Sequence, residues 1–137
     1  MQREILFRGQ TIGGDWVEGL LSIVKGTKGI NNASPGYFIS NKSGMPLAFQ
    51  IRPETLGQYT GLKDRNGAKI FEGDAVKFYI GELGYVLFRE GAFKFRSPIN
   101  TGALSEYSNI RDWMTRFEII GNIHDNPELL TPSQESK

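Results

Sequence analysis

The chain has no cysteine at all. That rules out a disulfide framework, thiol catalysis and thiolate metal sites, and it suits a reducing compartment. Histidine is nearly absent too: His124 stands alone, which starves both imidazole catalysis and zinc chemistry of groups. Excess charge is also missing. Sixteen basic residues against fifteen acidic ones leave a formal charge of +1, too little for a broad field that attracts nucleic acid or an anionic membrane. No apolar run approaches the length needed to cross a bilayer, and M-Q-R-E-I-L-F-R-G lacks the apolar core of a signal peptide. Asn32-Ala-Ser and Asn41-Lys-Ser therefore read as chance glycosylation matches. The expected location is cytoplasmic, with no membrane partner.

What the chain does have is glycine, phenylalanine and short alternating runs. At 137 residues it fits one domain with a modest core. Seventeen glycines and nine phenylalanines point to many short strands joined by turns. Ile5 to Gly9 predicts a first strand, and Gly13-Gly14-Asp15 a turn. Trp16 to Val24 predicts a second strand that forms a hairpin with the first. Gly19 inside it marks a bulge or a close backbone approach. Lys25 to Gly36 reads as a mobile loop. Tyr37 to Ile39 and Leu47 to Ile51 are two further strands around a turn from Ser40 to Pro46. Pro53 then biases Arg52 toward an extended conformation.

The stretch that specifies its own backbone most tightly runs from Glu54 to Phe78. It holds Gly57, Gly61, an Asp64-Arg65-Asn66-Gly67 turn, and Glu72-Gly73-Asp74 ahead of an alternating run at Val76, Phe78 and Ile80. Asp64 and Asn66 can hydrogen-bond nearby backbone, and Asn-Gly accepts the positive φ of tight hairpins. Further on, Gly81 to Gly84 reads as a turn, Tyr85 to Arg89 as a strand, Glu90-Gly91 as a turn, and Phe93 with Phe95 as inward positions of another strand. Ser97 to Gly102 reads as a loop, and Ala103 to Thr115 is compatible with a short helix. Phe117 to Ile123 closes the β-region. Asn126-Pro127-Glu128 signals a helix start, with Asn as cap and Pro at the first position. The tail at 131–137 is polar and expected to be disordered.

The residues of the central stretch resemble the core signature of the YopX family, small proteins encoded in phages and prophages of Gram-positive bacteria. Thr55, Gly57, Gln58, Thr60 through Asp64, Asn66, Gly67, Lys69, Ile70, and Glu72 through Asp74 carry the likeness. Arg3 to Gly9, Trp16 to Gly19 and Ile120 to Leu130 match as flanking blocks in the family's order. The resemblance implies a compact β-protein of phage origin with no established activity and no catalytic residues to carry over.

Each pattern of a kind that carries chemistry elsewhere has a plainer explanation here. His124-Asp125 lacks a partner serine on a strained turn, since no G-x-S-x-G is present; the pair reads as a strand end, with Asp125 helping to cap the terminal helix. Glu72 and Asp74 could act as acid and base if their environments drove their pKa values apart, but Asp74 reads better as an acceptor of backbone amides at a strand entry. No glycine pattern matches a nucleotide-binding signature. No cofactor and no metal site is expected.

Basic and aromatic residues interleave from Lys77 to Arg96. Phe78, Phe88, Phe93 and Phe95 fall on period-two positions expected in the core. Lys77, Tyr79, Tyr85, Lys94 and Arg96 form a possible outer binding surface. The fold expected is all-β: a small SH3-like barrel or roll over 54–125, extra N-terminal strands over 1–53, and a short C-terminal helix, in one domain over 1–130. The function expected is a phage accessory protein that binds a protein or itself. Single-stranded nucleic-acid binding is the alternative, and an enzyme using Glu72 and Asp74 comes behind both.

Overall fold

The computed structural model describes residues 4–25, 35–41, 48–78, 83–96, 108–109 and 117–130. The chain is all-β and divides into two units, Met1–Tyr59 and Thr60–Lys137. The strand β5 (Gly57–Lys63) runs across that boundary.

In the first unit β1 (Phe7–Gln10), β2 (Trp16–Val24), β3 (Gly36–Asn41) and β4 (Ala48–Ile51) form an antiparallel meander. The expected β1–β2 hairpin is present, with Phe7 opposite Gly19 and Gln10 opposite Trp16. The start of β5 adds to the other side of β1, placing Gln58 opposite Phe7. Gly19 marks a close approach and not a bulge: it closes the ladders to β1 and β3 with no register shift in either, and a Cβ there would collide with the Ser40 carbonyl oxygen. Ile39 and Ile51 are buried on the same face of the meander.

The far end of this sheet bends back on itself. Thr11 bridges Ile51, and the Arg52 N–H donates to the Gln10 carbonyl at 2.9 Å. Pro53 opens a 3₁₀ turn, Pro53–Thr55, with Arg52 held at φ −75° and ψ 121°. Thr55 pins that turn: its hydroxyl donates to the Arg52 carbonyl at 2.6 Å and accepts the Gln10 N–H at 2.9 Å.

In the second unit the end of β5 pairs with β6 (Lys69–Phe71). A five-stranded antiparallel sheet has the order β10 (Ser108–Asn109), β9 (Ala92–Arg96), β8 (Leu83–Arg89), β7 (Asp74–Phe78), β11 (Phe117–Asn122). Alternation puts Val76, Val86, Phe95 and Phe117 inward, where with Ile70 they form one buried cluster. Leu62, Phe93 and Ile119 pack against it. The Phe95 and Phe117 rings lie 4.9 Å apart at 30°. Each fully buried side chain of this kind contributes about 1.5–3 kcal/mol.

Several expectations need correction. The sheets are open, each with two end strands, so the ladder does not close into an SH3-like barrel. The C-terminal helix is a single 3₁₀ turn, Pro127–Leu130. Asn126 does not cap it forward; its side chain accepts the Asn122 N–H at 3.3 Å, behind it in the chain. Gly84 is a strand residue opposite Val76, because only a missing Cβ leaves room for the Phe95 ring. Phe88 is not core: it is 52% exposed and meets Phe93 edge-on at 5.0 Å. Within the stretch expected to hold a helix, Ser108 and Asn109 form a strand pair with Phe95 and Lys94. The rest of Ala103 to Thr115, the loop at 26–34 and the tail at 131–137 lie outside the described residues.

Candidate functional site

The signature stretch builds its turns around two buried carboxylates. Asp64, 7% exposed, sits where β5 ends. Its N–H donates to the Ala68 carbonyl at 2.8 Å, and its own carbonyl accepts the Gly67 N–H at 3.0 Å. Gly67 takes the positive φ (87°) that this turn demands, whereas Asn66 does not. Oδ1 of Asp64 accepts the N–H groups of Asn66 (2.8 Å) and Ala68 (2.9 Å). Oδ2 reaches across to β11 and accepts the Ile119 N–H at 3.0 Å. Beside it the Arg65 N–H donates to the Phe117 carbonyl at 2.9 Å. Burial by itself would raise the Asp64 carboxyl. The N–H groups of Ile119, Ala68, Asn66 and Gly67 outweigh it and hold the carboxyl below its ordinary value.

Asp74 does a similar job one turn later. It is 1% exposed, and Oδ2 accepts the Phe71 N–H at 2.7 Å across the Glu72-Gly73 turn. Gly73 carries φ 96°, and its N–H and carbonyl join Val86 and Ile123. Glu72 is half-buried in the same turn. Gly61 has φ 89°, and Gly57 is buried opposite Arg8. Asp64, Gly67, Gly73 and Asp74 therefore shape and brace turns, the two aspartate carboxylates accepting main-chain amides, while Gly57 and Gly61 lie within β5.

His124 and Asp125 lie in the turn after β11. The Asn122 side-chain oxygen accepts both of their N–H groups at 2.9 Å, and the Asn122 amide donates to Asp125 Oδ2 at 3.3 Å. Asp125 is thus tied to Asn122. No group of three or more acidic or histidine side chains among the described residues is placed to hold a metal ion.

The expected outer surface is brought together in part. The rows Ala75–Tyr85–Arg96 and Leu87–Lys94, with Lys77 between Leu83 and Glu118, put Lys77, Tyr85, Lys94 and Arg96 on one face. Lys77 is exposed; Tyr85, Lys94 and Arg96 are half-buried. Lys94 pairs with Glu90 at 3.2 Å. Tyr79 lies outside the described residues.

Sequence reasoning passed over three features. Thr55 carries no motif of its own, although a threonine hydroxyl bonding the carbonyl three residues back is a known turn device. Arg8 stacks over Trp16 with its guanidinium 4.9 Å from the ring centroid, in a position fixed only by the β1–β2 register. Ile12, Leu20, Ile23 and Phe49 are large apolar side chains left exposed; alternation along a strand cannot say which face is covered.

Fold and site together define an all-β protein of two open antiparallel sheets, with signature carboxylates that brace turns. The model of the YopX protein family matches residues 24–131, and the chain belongs to that family. The crystal structure of protein EF1440 from Enterococcus faecalis superposes with a TM-score of 0.55 at 22% identity, covering 95% of this chain and 100% of that one. The likeness is one of fold. No curated protein matches the chain. No helix among the described residues is long and apolar enough to cross a membrane.

Proposed function

We propose that this chain is a phage or prophage accessory protein that acts in the bacterial cytoplasm by non-catalytic protein contact, with a partner or with a second copy. The observation that carries the reading is the exposed apolar set on the first unit's meander. Ile23 on β2 and Phe49 on β4 share the face of Tyr37 and Ile39, and each is more than two-fifths exposed. Beside them β4 ends the ladder, its outer edge bridged by Thr11 at Ile51, and its sequence A-F-Q-I carries no charge to repel another strand along Ala48 to Gln50. Scattered single apolar residues need no explanation, but two on one face next to an uncharged end strand suit strand addition. Asp64 and Asp74 spend their carboxylates on main-chain amides, which weighs against a role as acid and base.

Nucleic-acid binding is the second reading, favoured by Lys77, Tyr85, Lys94 and Arg96 sharing a face. The Lys94–Glu90 pair and the formal charge of +1 weaken it. Light scattering over a concentration series, beside anisotropy with labelled DNA and RNA at low and high salt, separates the two. Concentration-dependent mass that Phe49→Ser abolishes supports self-association. A strict monomer that binds nucleic acid tightly and releases it with added salt overturns the proposal.

A further inference from the structure

The chain contains one Asn-Gly step, Asn66-Gly67, and the fold places it in an exposed turn. An asparagine followed by glycine is open to attack by the next main-chain nitrogen, because glycine has no side chain to crowd the reaction. Here nothing lies within 4 Å of the place a Gly67 Cβ would occupy. No hydrogen bond of the Asn66 carboxamide is present among the described residues.

We propose that Asn66 is a site of spontaneous deamidation, that the closed turn holds the reaction back, and that its product unlatches Asp64 from β11. The Gly67 nitrogen, once a base has taken its proton, attacks Asn66 Cγ. A C–N bond forms, the bond from Cγ to the amide nitrogen breaks, and ammonia leaves. The resulting five-membered imide is opened by water. Attack at Cγ gives an ordinary aspartyl residue; attack at the main-chain carbonyl gives an isoaspartyl residue. The net change exchanges ammonia for water and consumes no other reagent.

The brake is visible in the turn. The Gly67 N–H that must be lost is donated to the Asp64 carbonyl at 3.0 Å. The N–H groups on either side, from Asn66 and Ala68, are both held by Asp64 Oδ1. The nitrogen is therefore kept protonated and its neighbours kept still until the turn opens. The consequence follows from the same bonds. An isoaspartyl link inserts an extra CH2 into the main chain between the Cα of residue 66 and the Gly67 nitrogen. Gly67 and Ala68 can no longer both reach Asp64, and a new carboxylate appears beside it. Asp64 then loses its fixed position, and with it the 3.0 Å bond that Oδ2 accepts from the Ile119 N–H.

The reading is independent of any partner. It is tested by ageing the full chain at mildly alkaline pH, folded and in urea, with Asn66→Gln as control. Peptide mass mapping follows amide-to-acid conversion, and enzymatic methylation scores isoaspartate. Conversion is expected at Asn66 ahead of every other asparagine, and about tenfold or more slower in the folded chain than in urea. In folded chains carrying isoaspartate, hydrogen exchange at the Ile119 amide is expected to speed up by a similar factor. Equal or faster conversion in the folded chain overturns the brake. Earlier conversion elsewhere overturns the site, and unchanged Ile119 exchange overturns the unlatching.

Discussion

Asp64 and Ile119 are 55 residues apart in the chain, yet the Asp64 carboxylate accepts the Ile119 N–H at 3.0 Å. One side chain thereby braces the turn after β5 and fastens β11 to it. Removing it strands several main-chain donors at once. Asp64→Ala is expected to destabilise the protein by about 2–4 kcal/mol, the range for losing charge-assisted bonds to buried donors. Urea melts of both proteins check this; an unshifted midpoint would mean that water replaces the carboxylate without cost.

The same carboxyl makes stability depend on acid. Its folded pKa lies below the unfolded value, so the native state favours the charged form. Its contribution is fully present above the unfolded pKa of about 4 and is lost as pH falls through the depressed folded value. Urea midpoints from about pH 6 down to about pH 2 should fall more steeply for the wild type than for Asp64→Asn, which has no proton to take up. Parallel curves would assign the acid sensitivity to other groups.

Gly67 and Gly84 should resist substitution for different reasons. Gly67 has open space around it but a φ of 87°, so Gly67→Val is expected to cost about 1–3 kcal/mol through backbone strain. Gly84→Val instead drives a side chain into the Phe95 ring and the Arg96 carbonyl, and overpacking costs about 1–3 kcal/mol or more. A compensating Phe95→Leu should recover part of the second loss and none of the first. Denaturant melts of the double variants decide it.

The hairpin between β8 and β9 is open to improvement. Glu90 sits at φ 54°, where asparagine is at less disadvantage. Glu90→Asn gives up an ion pair with Lys94 that, with Glu90 73% exposed, is worth only a few tenths of a kcal/mol. A net gain of about 0.5 kcal/mol is expected in thermal melts, from relief of αL strain. A loss would show that the pair outweighs the turn.

Phe88 and Phe95 test which phenylalanines the fold uses. Phe95→Ala should cost about 3–5 kcal/mol, the usual range for a buried aromatic. Phe88→Ser should stay within about 1 kcal/mol, since half of that ring already faces solvent. Comparable losses in chemical melts would place Phe88 back in the core.

The sequence by itself settles what is local. Strand period, glycine punctuation and turn chemistry identify β1 and β2 as a hairpin, the Asp64–Gly67 turn and the Glu90-Gly91 turn. They do so because each is decided by residues a few positions apart. Family membership is legible for the same reason, since the signature is a run of turn-forming residues. Tertiary structure alone decides what depends on distant partners. Alternation puts Val86 and Phe88 on one face, but only the extent of the neighbouring strands buries the first and leaves the second exposed. Gly84 reads as a turn until the Phe95 ring occupies the space its side chain would need. Asp64 reads as a turn residue; its bond to Ile119 exists only because β11 is brought to that turn. The sheets stay open for a reason no local pattern carries: closing a barrel requires the two end strands of a sheet to pair along their length, and neither β4 with β6 nor β10 with β11 is a neighbouring pair among the described residues.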